Sequence, residues 1–231
     1  MSELAVDLAK AGHPVSVVTT QPHYNRDETA AAAQPLHPDW GGLLFRSSYR
    51  GIPVAHVRMG PRGTGTAGRL AGWLRFHVLG LIAALRLGRR PDVIIVPSPL
   101  LSLGVVAWAI GLVTGARYVY NVQELYPDLA VQLGKLRNPV LIGALRLLER
   151  FVYRTAAAIT VITPRMQSKL LERGVPESKL HYIPNFVDVD DLAPLDKAND
   201  FSREHGLAER FVVEYAGNMG YAQGLEVLLE A

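Results

Sequence analysis

Short runs of apolar, often β-branched residues alternate with stretches of helical periodicity along almost the whole chain. These runs predict strands at residues 14–20, 93–96, 118–122, 159–162, 181–183 and 211–215. Each run is short enough and apolar enough to be a strand buried on both faces of a sheet. Because strands and helices alternate, the pattern predicts an α/β fold, a Rossmann-like parallel sheet with helices on both faces.

Capping residues mark where several helices begin and end. Apolar residues at helical spacing predict a helix over Ser2–Lys10 that ends at Gly12. Asn138 and Thr163 each precede a proline, which is tolerated at the first helical position because the N–H there has no helical partner. We therefore expect helices to begin after both residues, and the second of them to end at Gly174.

Two apolar stretches raise the question of a membrane span. Residues 93–116 carry no charge, and on length alone this stretch could cross a bilayer. A Pro-Ser-Pro sequence at 97–99 interrupts any helix there, so the pattern predicts a buried strand, a turn and a buried helix over 100–114. The stretch 73–87 contains two arginines and a histidine and suits a helix that lies in a membrane interface.

Composition excludes several classes of protein. The 231 residues are 49% hydrophobic, which is enough apolar material to bury a core, and none of them is cysteine. Disulfide scaffolds, cysteine-ligated zinc, iron–sulfur clusters and thiol nucleophiles are therefore excluded. No other residues have the spacing of metal ligands, so no metal is expected. Because Glu3, Asp7 and Lys10 do not suit a secretion leader, a cytoplasmic location is expected.

The net charge of +3 hides an uneven distribution. Residues 41–91 contain nine arginines and no acid, whereas residues 185–231 contain ten acids and three bases. The basic block favours an anionic partner, which could be a membrane surface, a phosphorylated substrate or a nucleic acid. A solvated arginine-rich face is the alternative interpretation. Few lysines and no recognisable reading motif argue against a nucleic acid.

The composition changes after Asn185, where a polar, acid-rich stretch without clear periodicity follows. We expect one Rossmann-like domain at 1–190, a linker at 191–209 and the beginning of a second, truncated Rossmann-like domain at 210–231. A single strand, loop and helix cannot bury its own faces, so we expect the chain to end within that second domain.

Ligands of parallel sheets bind where the strands end, so the residues that follow each predicted strand are the candidates. They supply amides, hydroxyls, a histidine and a carboxylate, which suit a polyhydroxylated ligand with phosphates. The candidates are Gln21, His23, Tyr24, Ser98, Gln123, Glu124, Thr163, Asn185 and the loop 217–220.

Three of these candidates have two interpretations each. In an apolar neighbourhood Glu124 would have a raised pKa and serve as acid, base or hydroxyl acceptor, but it could also be a first-turn acid favoured by a helix dipole. His23 is either a ligand contact or an ordinary loop histidine. The glycines at 217 and 220 either cradle a phosphate at a helix start or only form a tight turn.

Several strings in order resemble glycosyltransferase family 4, in its bacterial branch that builds O-antigen, capsule and colanic-acid polysaccharides. The resemblance covers nearly the whole chain. It includes residues 12–20, 97–99, 120–128, 148–154, 215–220 and 223–226, and the most specific of its strings is Ile183-Pro-Asn-Phe-Val-Asp188. The order and spacing of the whole set carry the resemblance.

The resemblance implies a GT-B fold, in which two Rossmann-like domains face a cleft. It implies a retaining hexosyltransferase that uses a nucleotide-sugar and no metal, and that acts on a lipid-linked or saccharide acceptor. The enzyme would be peripheral on the inner face of the plasma membrane. The alternatives are a nucleotide-sugar epimerase of the same architecture and a non-catalytic fragment that binds anionic lipid.

The resemblance also assigns roles to residues of this chain. Gln123 and Glu124 stand where many members have a His-Asp pair beside the transferred sugar, which makes them the catalytic candidates, acting by hydrogen bonding. Substrate contacts are expected from His23, Tyr24, Ser98, Asn121 and Asn185. Donor phosphates are expected at Gly217, Asn218, Gly220 and Gln223. Many members have an arginine and a lysine there, and neutral amides stabilise a leaving diphosphate less than cations do.

A membrane-facing surface is expected at Arg69, Trp73, Arg75 and Phe76, within the basic block. Two departures from the family pattern concern the ends of the chain. The first strand with its glycine-rich loop is not in this sequence, and neither is the pair of glutamates that holds the nucleotide and sugar. We therefore expect the chain to be a fragment that is inactive alone.

Overall fold

The computed structural model describes residues 2–21, 29, 32, 34–60, 66–87, 90–187, 189, 194–217, 219–220 and 223–230, with only the backbone described at 66, 67, 69 and 70. The strands are β1 (Val17–Thr20), β2 (His37–Asp39), β3 (Leu44–Tyr49), β4 (Ile52–Val57), β5 (Val93–Pro97), β6 (Arg117–Val122), β7 (Ala158–Val161) and β8 (Leu180–Tyr182). The helices are α1 (Ser2–Lys10), α2 (Thr66–Arg86), α3 (Leu101–Thr114), α4 (Asp128–Gln132), α5 (Pro139–Thr155), α6 (Pro164–Glu172), α7 (Asp200–Glu204) and α8 (Glu226–Glu230).

The strands form two four-stranded sheets. Sheet B has the order β5-β6-β7-β8 and is parallel throughout, with helices packed against it. This sheet confirms the predicted α/β class. Its four strands lie within about one residue of the predicted runs, because a β-branched run in a sheet interior is a strong local signal.

Sheet A departs from the predicted all-parallel arrangement. Its order is β1-β4-β3-β2, and only the β1–β4 pair is parallel. A two-residue turn at Arg50 and Gly51, with φ of +47° and +81°, joins β3 to β4. Such turns favour Asn-Gly, and an arginine in the first position gives no turn signal. The β2–β4 meander was therefore not predicted.

The predicted helix ends are confirmed by their hydrogen bonds. Asn138 Oδ1 accepts the N–H groups of residues 140 and 141 at 3.0 and 3.2 Å. Thr163 Oγ1 accepts the N–H of Met166 at 3.1 Å. Gly174 ends α6 with φ of +79°, a conformation that glycine adopts without strain.

The main core lies between one face of sheet B and helices α3, α5 and α6. Alternate residues of the two central strands, such as Tyr120 and Ile159, are fully buried there against Val152 of α5 and Leu170 of α6. Tyr118 Oη donates to the carbonyl of Val152 at 2.6 Å. This core therefore fixes β6 against α5.

A second core lies between sheet A and α2. Leu79 and Ala83 of α2 pack with Leu44 and Val57, and Phe76 packs against the same cluster. Helix α2 also packs against α3, so it links the two sheets.

The predicted strand at 211–215 is wrong. Residues 211–216 have no regular secondary structure, and Phe211 is 94% exposed. A strand needs neighbouring strands to pair its N–H and C=O groups, and neither of the two described sheets includes this segment. Among the helices described, none combines the length and the apolar composition that a membrane crossing requires.

Gly104 allows α3 and α5 to approach closely, and replacing it by alanine tests that contact. A Cβ at Gly104 would lie 2.6 Å from Cγ1 of the fully buried Val152. We expect Gly104→Ala to lower the free energy of unfolding, measured by urea denaturation, by about 1–3 kcal/mol.

The matched control is Gly143→Ala in α5, where an added Cβ meets no atom within 4 Å. This change should raise the free energy of unfolding by about 0.5–1 kcal/mol, because alanine favours a helix. Equal stabilisation by both substitutions would contradict the close α3–α5 contact.

Candidate functional site

The carboxyl end of sheet B brings Ser98 together with Gln123 and Glu124. Ser98 follows β5 and is buried, and its Oγ accepts the backbone N–H groups of Gln123 at 2.8 Å and Glu124 at 3.0 Å. The Ser98 N–H donates to the Asn121 carbonyl at 2.8 Å. Ser98 therefore joins the ends of β5 and β6, and its hydroxyl holds the backbone of the Gln123–Glu124 loop. Its direct contact with substrate stays a prediction.

A chain of amide hydrogen bonds continues under this loop. Gln123 Nε2 donates to Asn121 Oδ1 at 2.6 Å, and Asn121 Nδ2 donates to Thr160 Oγ1 at 2.7 Å. Asn121 and Thr160 are buried. These bonds turn amide donors of Gln123 and Asn121 inward, so the Gln123 carbonyl oxygen is available to accept a bond from a ligand.

Sequence reasoning missed Thr160. A polar residue in the otherwise apolar strand β7 was the available signal, since a buried hydroxyl needs a partner. Its partner lies on the neighbouring strand β6, which becomes known only once the strand register is known.

Glu124 lies on the surface, so the apolar neighbourhood predicted for it is wrong. The neighbouring Leu125 is buried instead. Glu124 is not a first-turn helix acid either, because α4 begins at Asp128. What remains is an exposed carboxylate beside a fixed amide, which is a good acceptor for the hydroxyl groups of a polar ligand.

The far side of the same loop is held by ion pairs. Arg173, after α6, donates to Glu149 Oε1 at 2.7 Å and also to Asp128. Glu149 is buried and also bonds Tyr153; burial raises the pKa of its carboxyl, and the Arg173 charge partly opposes this. Burial raises the pKa of the Tyr153 hydroxyl as well. The start of α4 is thereby tied to α5 and α6.

Sheet A contributes a buried histidine that sequence reasoning also missed. His56, in β4, contacts Ser47 Oγ through Nε2 at 2.7 Å and the Thr20 carbonyl through Nδ1 at 3.3 Å. A carbonyl can only accept, so Nδ1 carries the proton and Nε2 accepts from Ser47. Burial lowers the pKa of His56. These bonds join β1, β3 and β4, which makes the role of His56 structural.

Of the remaining predicted contacts at His23, Tyr24, Asn185 and Asn218, the structure describes Asn185 alone. Asn185 is exposed beyond β8. His23, Tyr24 and Asn218 lie outside the described residues. Within the described ranges, no three His, Asp or Glu side chains converge as metal ligands would.

The predicted phosphate loop does not open a helix. The Gly220 N–H donates to Gln223 Oε1 at 3.1 Å in an exposed turn, and α8 begins only at Glu226. Gly217 is exposed and follows a segment without a strand. The expected strand-to-helix cradle is therefore wrong in its geometry, because the strand that would position it is not formed.

The predicted membrane-facing residues of α2 fall on two faces. Trp73 is exposed, but Arg75 and Phe76 are half-buried, and Phe76 packs against sheet A. The Arg69 side chain is outside the described set. At 100° per residue, the outward face instead carries Leu74, Val78 and Leu85.

Replacing the Ser98 hydroxyl tests whether it holds the loop. Ser98→Ala leaves the Gln123 and Glu124 N–H groups without their acceptor, which costs about 1–3 kcal/mol for a buried donor. We expect amide hydrogen exchange at 123 and 124 to become about 5- to 150-fold faster. Ser168→Ala, which removes an exposed side-chain bond on α6, should leave both rates unchanged. Wild-type rates in Ser98→Ala would show that packing alone holds the loop.

Comparison with known proteins adds an independent finding to this geometry. The family model described as a glycosyl transferase 4-like domain matches residues 1–185, which include both sheets and the loop at 123–124. The chain is also 25% identical to the putative colanic acid biosynthesis glycosyl transferase WcaI of Escherichia coli (strain K12), over 99% of the chain and 56% of that protein. It thus spans about half the length of this relative. A match over most of the chain shows that the protein belongs to the glycosyl transferase 4-like domain family.

Proposed function

We propose that this chain is the acceptor-side part of a retaining hexosyltransferase that moves a sugar from a nucleotide-sugar to a lipid-linked or saccharide acceptor. The process would be cell-surface polysaccharide biosynthesis, which the name of the colanic acid relative supports. The observation that carries the proposal is the Gln123–Glu124 loop, fixed by Ser98 at the carboxyl end of a parallel sheet. The domain limits 1–190, 191–209 and 210–231 belong to this proposal.

The loop suits a sugar because its free groups are acceptors on a rigid backbone. The Glu124 carboxylate accepts from a sugar hydroxyl in a charge-assisted bond, and the Gln123 carbonyl oxygen accepts from a second one. Since their backbone is already fixed by Ser98, little ordering is needed when the sugar binds. In this arrangement Glu124 orients the substrate, and Gln123 cannot exchange a proton.

Donor phosphates would meet groups of the C-terminal segment at Gly217, Asn218, Gly220 and Gln223, all of them uncharged. Neutral donors contribute less than cations to the leaving diphosphate. Because this sequence also contains no pair of glutamates with the spacing that holds the nucleotide and sugar in the family, we expect the 231-residue chain alone not to catalyse transfer.

Replacing Glu124 tests whether its carboxylate binds the sugar. The protein assayed is the full-length gene product that contains this chain. The assay is transfer of radiolabelled sugar from a panel of UDP- and GDP-sugars to extracted membrane lipid. We expect Glu124→Ala to lower kcat/KM about 10- to 100-fold, because a hydrogen bond to a charged group is worth about 1.5–3 kcal/mol. Glu177→Ala, an exposed acid away from the loop, should transfer as the wild type does.

Three outcomes would contradict this proposal. Full activity in Glu124→Ala would remove the carboxylate from the site. Conversion of the nucleotide-sugar without any acceptor would favour an epimerase. Failure of every donor to label a saccharide or lipid product would leave only the family assignment.

We also propose that the protein is peripheral on the anionic inner face of the membrane, with α2 in contact. Leu74 is 65% exposed, and Val78 and Leu85 continue its row along the helix. The sequence segment 41–91, which contains this helix, has nine arginines and no acidic residue. Apolar side chains flanked by cations are typical of a helix that lies in an anionic interface.

Removing the apolar row tests this contact. We expect Leu74→Gln with Val78→Gln to weaken co-sedimentation with phosphatidylglycerol-containing vesicles about tenfold or more, since burying each side chain is worth about 1.5–3 kcal/mol. The control is Leu195→Gln, an exposed leucine in the acid-rich segment. Unchanged binding of the double variant, or equal wild-type binding to neutral vesicles, would contradict attachment through α2.

A further inference from the structure

The turn between β2 and β3 lies at the edge of sheet A where its two parallel strands end. Asp39 of β2 pairs with Leu44 of β3, which pairs in turn with Val57 at the carboxyl end of β4. The N–H of Arg58, directly after β4, donates to the Leu43 carbonyl of the turn at 3.0 Å. Parallel strands bind ligands at this edge, so the turn is a candidate for a second binding site.

Trp40 is held in this turn in an unfavourable backbone conformation. Its φ is +45°, which large side chains rarely adopt, whereas Gly41 and Gly42 adopt +63° and +76° without strain. Asp39 Oδ1 accepts the Trp40 N–H at 2.9 Å, and Arg86 Cζ, at the end of α2, lies 5.5 Å from the centre of the indole ring. Trp40 is nevertheless 38% exposed. Strained residues that are fixed by their surroundings are concentrated at ligand sites.

Arginines outnumber acids around this indole. Arg46 Nε donates to Asp39 Oδ2 at 2.8 Å, and this hydrogen bond lowers the pKa of the Asp39 carboxyl. Arg58 Nη1 lies 3.4 Å from the Gly42 carbonyl oxygen, to which it donates. Among the residues that the structure describes, neither Arg58 nor Arg86 forms an ion pair. One carboxylate therefore lies among three guanidinium groups, and the turn has an excess of positive charge.

These groups match a sugar that carries a carboxylate. A sugar ring has an apolar C–H face that lies well against an indole, and aromatic side chains with a few polar groups are typical linings of ligand sites. A guanidinium group binds a carboxylate through two parallel hydrogen bonds. A neutral sugar would use the indole and leave the arginines unmatched, so the excess charge favours an acidic saccharide.

We propose that the turn at residues 39–43 binds an acidic saccharide, with a sugar ring against Trp40 and its carboxylates against Arg58 and Arg86. This inference rests on the proposed function and deepens it, because it assigns the saccharide acceptor to the class of chains that contain uronic acids. The turn binds and orients the chain, and no bond is made or broken there.

The test is an NMR titration of the isotope-labelled 231-residue chain with a hyaluronan tetrasaccharide, in which glucuronic acid alternates with N-acetylglucosamine. We expect saturable shifts at the backbone amides of residues 39–43 and at the Trp40 indole N–H. Arg58→Gln with Arg86→Gln should weaken binding about tenfold or more, because charge-assisted hydrogen bonds are lost. The matched control is Arg146→Gln with Arg150→Gln, which removes the same charge from exposed positions of α5 and should bind as the wild type does.

A second variant separates the indole from the charges. Trp40→Gly removes the ring and suits the backbone, because glycine adopts a φ of +45° without strain. We expect this variant to bind the tetrasaccharide about tenfold more weakly, as the loss of an aromatic anchor does in binding sites. The Leu43 amide reports binding in this variant, and circular dichroism checks that each variant stays folded.

Several outcomes would overturn the proposal. The absence of saturable shifts at residues 39–43 would reject the site, and equal binding of chitotetraose, a neutral chain of the same length, would reject recognition of the carboxylate. Shifts at these residues with guanosine monophosphate but not with the tetrasaccharide would assign the turn to a nucleotide. Wild-type affinity in either turn variant, or an equal loss in the α5 control, would place the site elsewhere.

This measurement separates the further inference from the proposed function. No sugar donor and no transfer step enter the titration, so a negative result leaves the transfer assay of Glu124→Ala unaffected. A negative transfer assay, in turn, leaves the affinity of the turn for the tetrasaccharide as measured.

Discussion

The structure of the site depends on the burial of strand β6 in the middle of a parallel sheet. One face of β6 is packed by Tyr118, Tyr120 and Val122 against α5, and both edges are hydrogen-bonded to β5 and β7. A strand held in this way ends at a fixed point. The residue after that point, Gln123, is therefore placed by the core and not by its own contacts with solvent.

Polar groups then convert this fixed end into a rigid loop. The Ser98 hydroxyl accepts from the loop backbone on the β5 side, and Asn121 accepts from the Gln123 amide while its own amide donates to Thr160. Arg173 bonds Asp128 at the start of α4. Each buried donor or acceptor in this set has a partner, which makes the arrangement specific as well as stable. The exposed Glu124 carboxylate is carried on this support.

Local sequence chemistry was sufficient for much of the fold and for the place of the site. Proline-preceded caps at Asn138 and Thr163 and the β-branched runs of sheet B depend on near neighbours, and they were predicted correctly. The rule on strand ends was enough to select 123–124. Sheet A, the failed strand at 211–215 and the Thr160 contact depend on partners distant in sequence, so composition and periodicity could not give them. The outward face of α2 was misassigned because apolar residues occur all around that helix.

The most direct measurement of the central claim is backbone-amide NMR of the labelled chain during titration with a soluble, short-chain alkyl diphosphate-linked glucose. Saturable shifts centred on residues 121–124, with a smaller effect at Ser98, are the result that this account predicts. Shifts confined to other surfaces, or none at these amides while the ligand binds, would contradict a sugar site at the carboxyl end of sheet B.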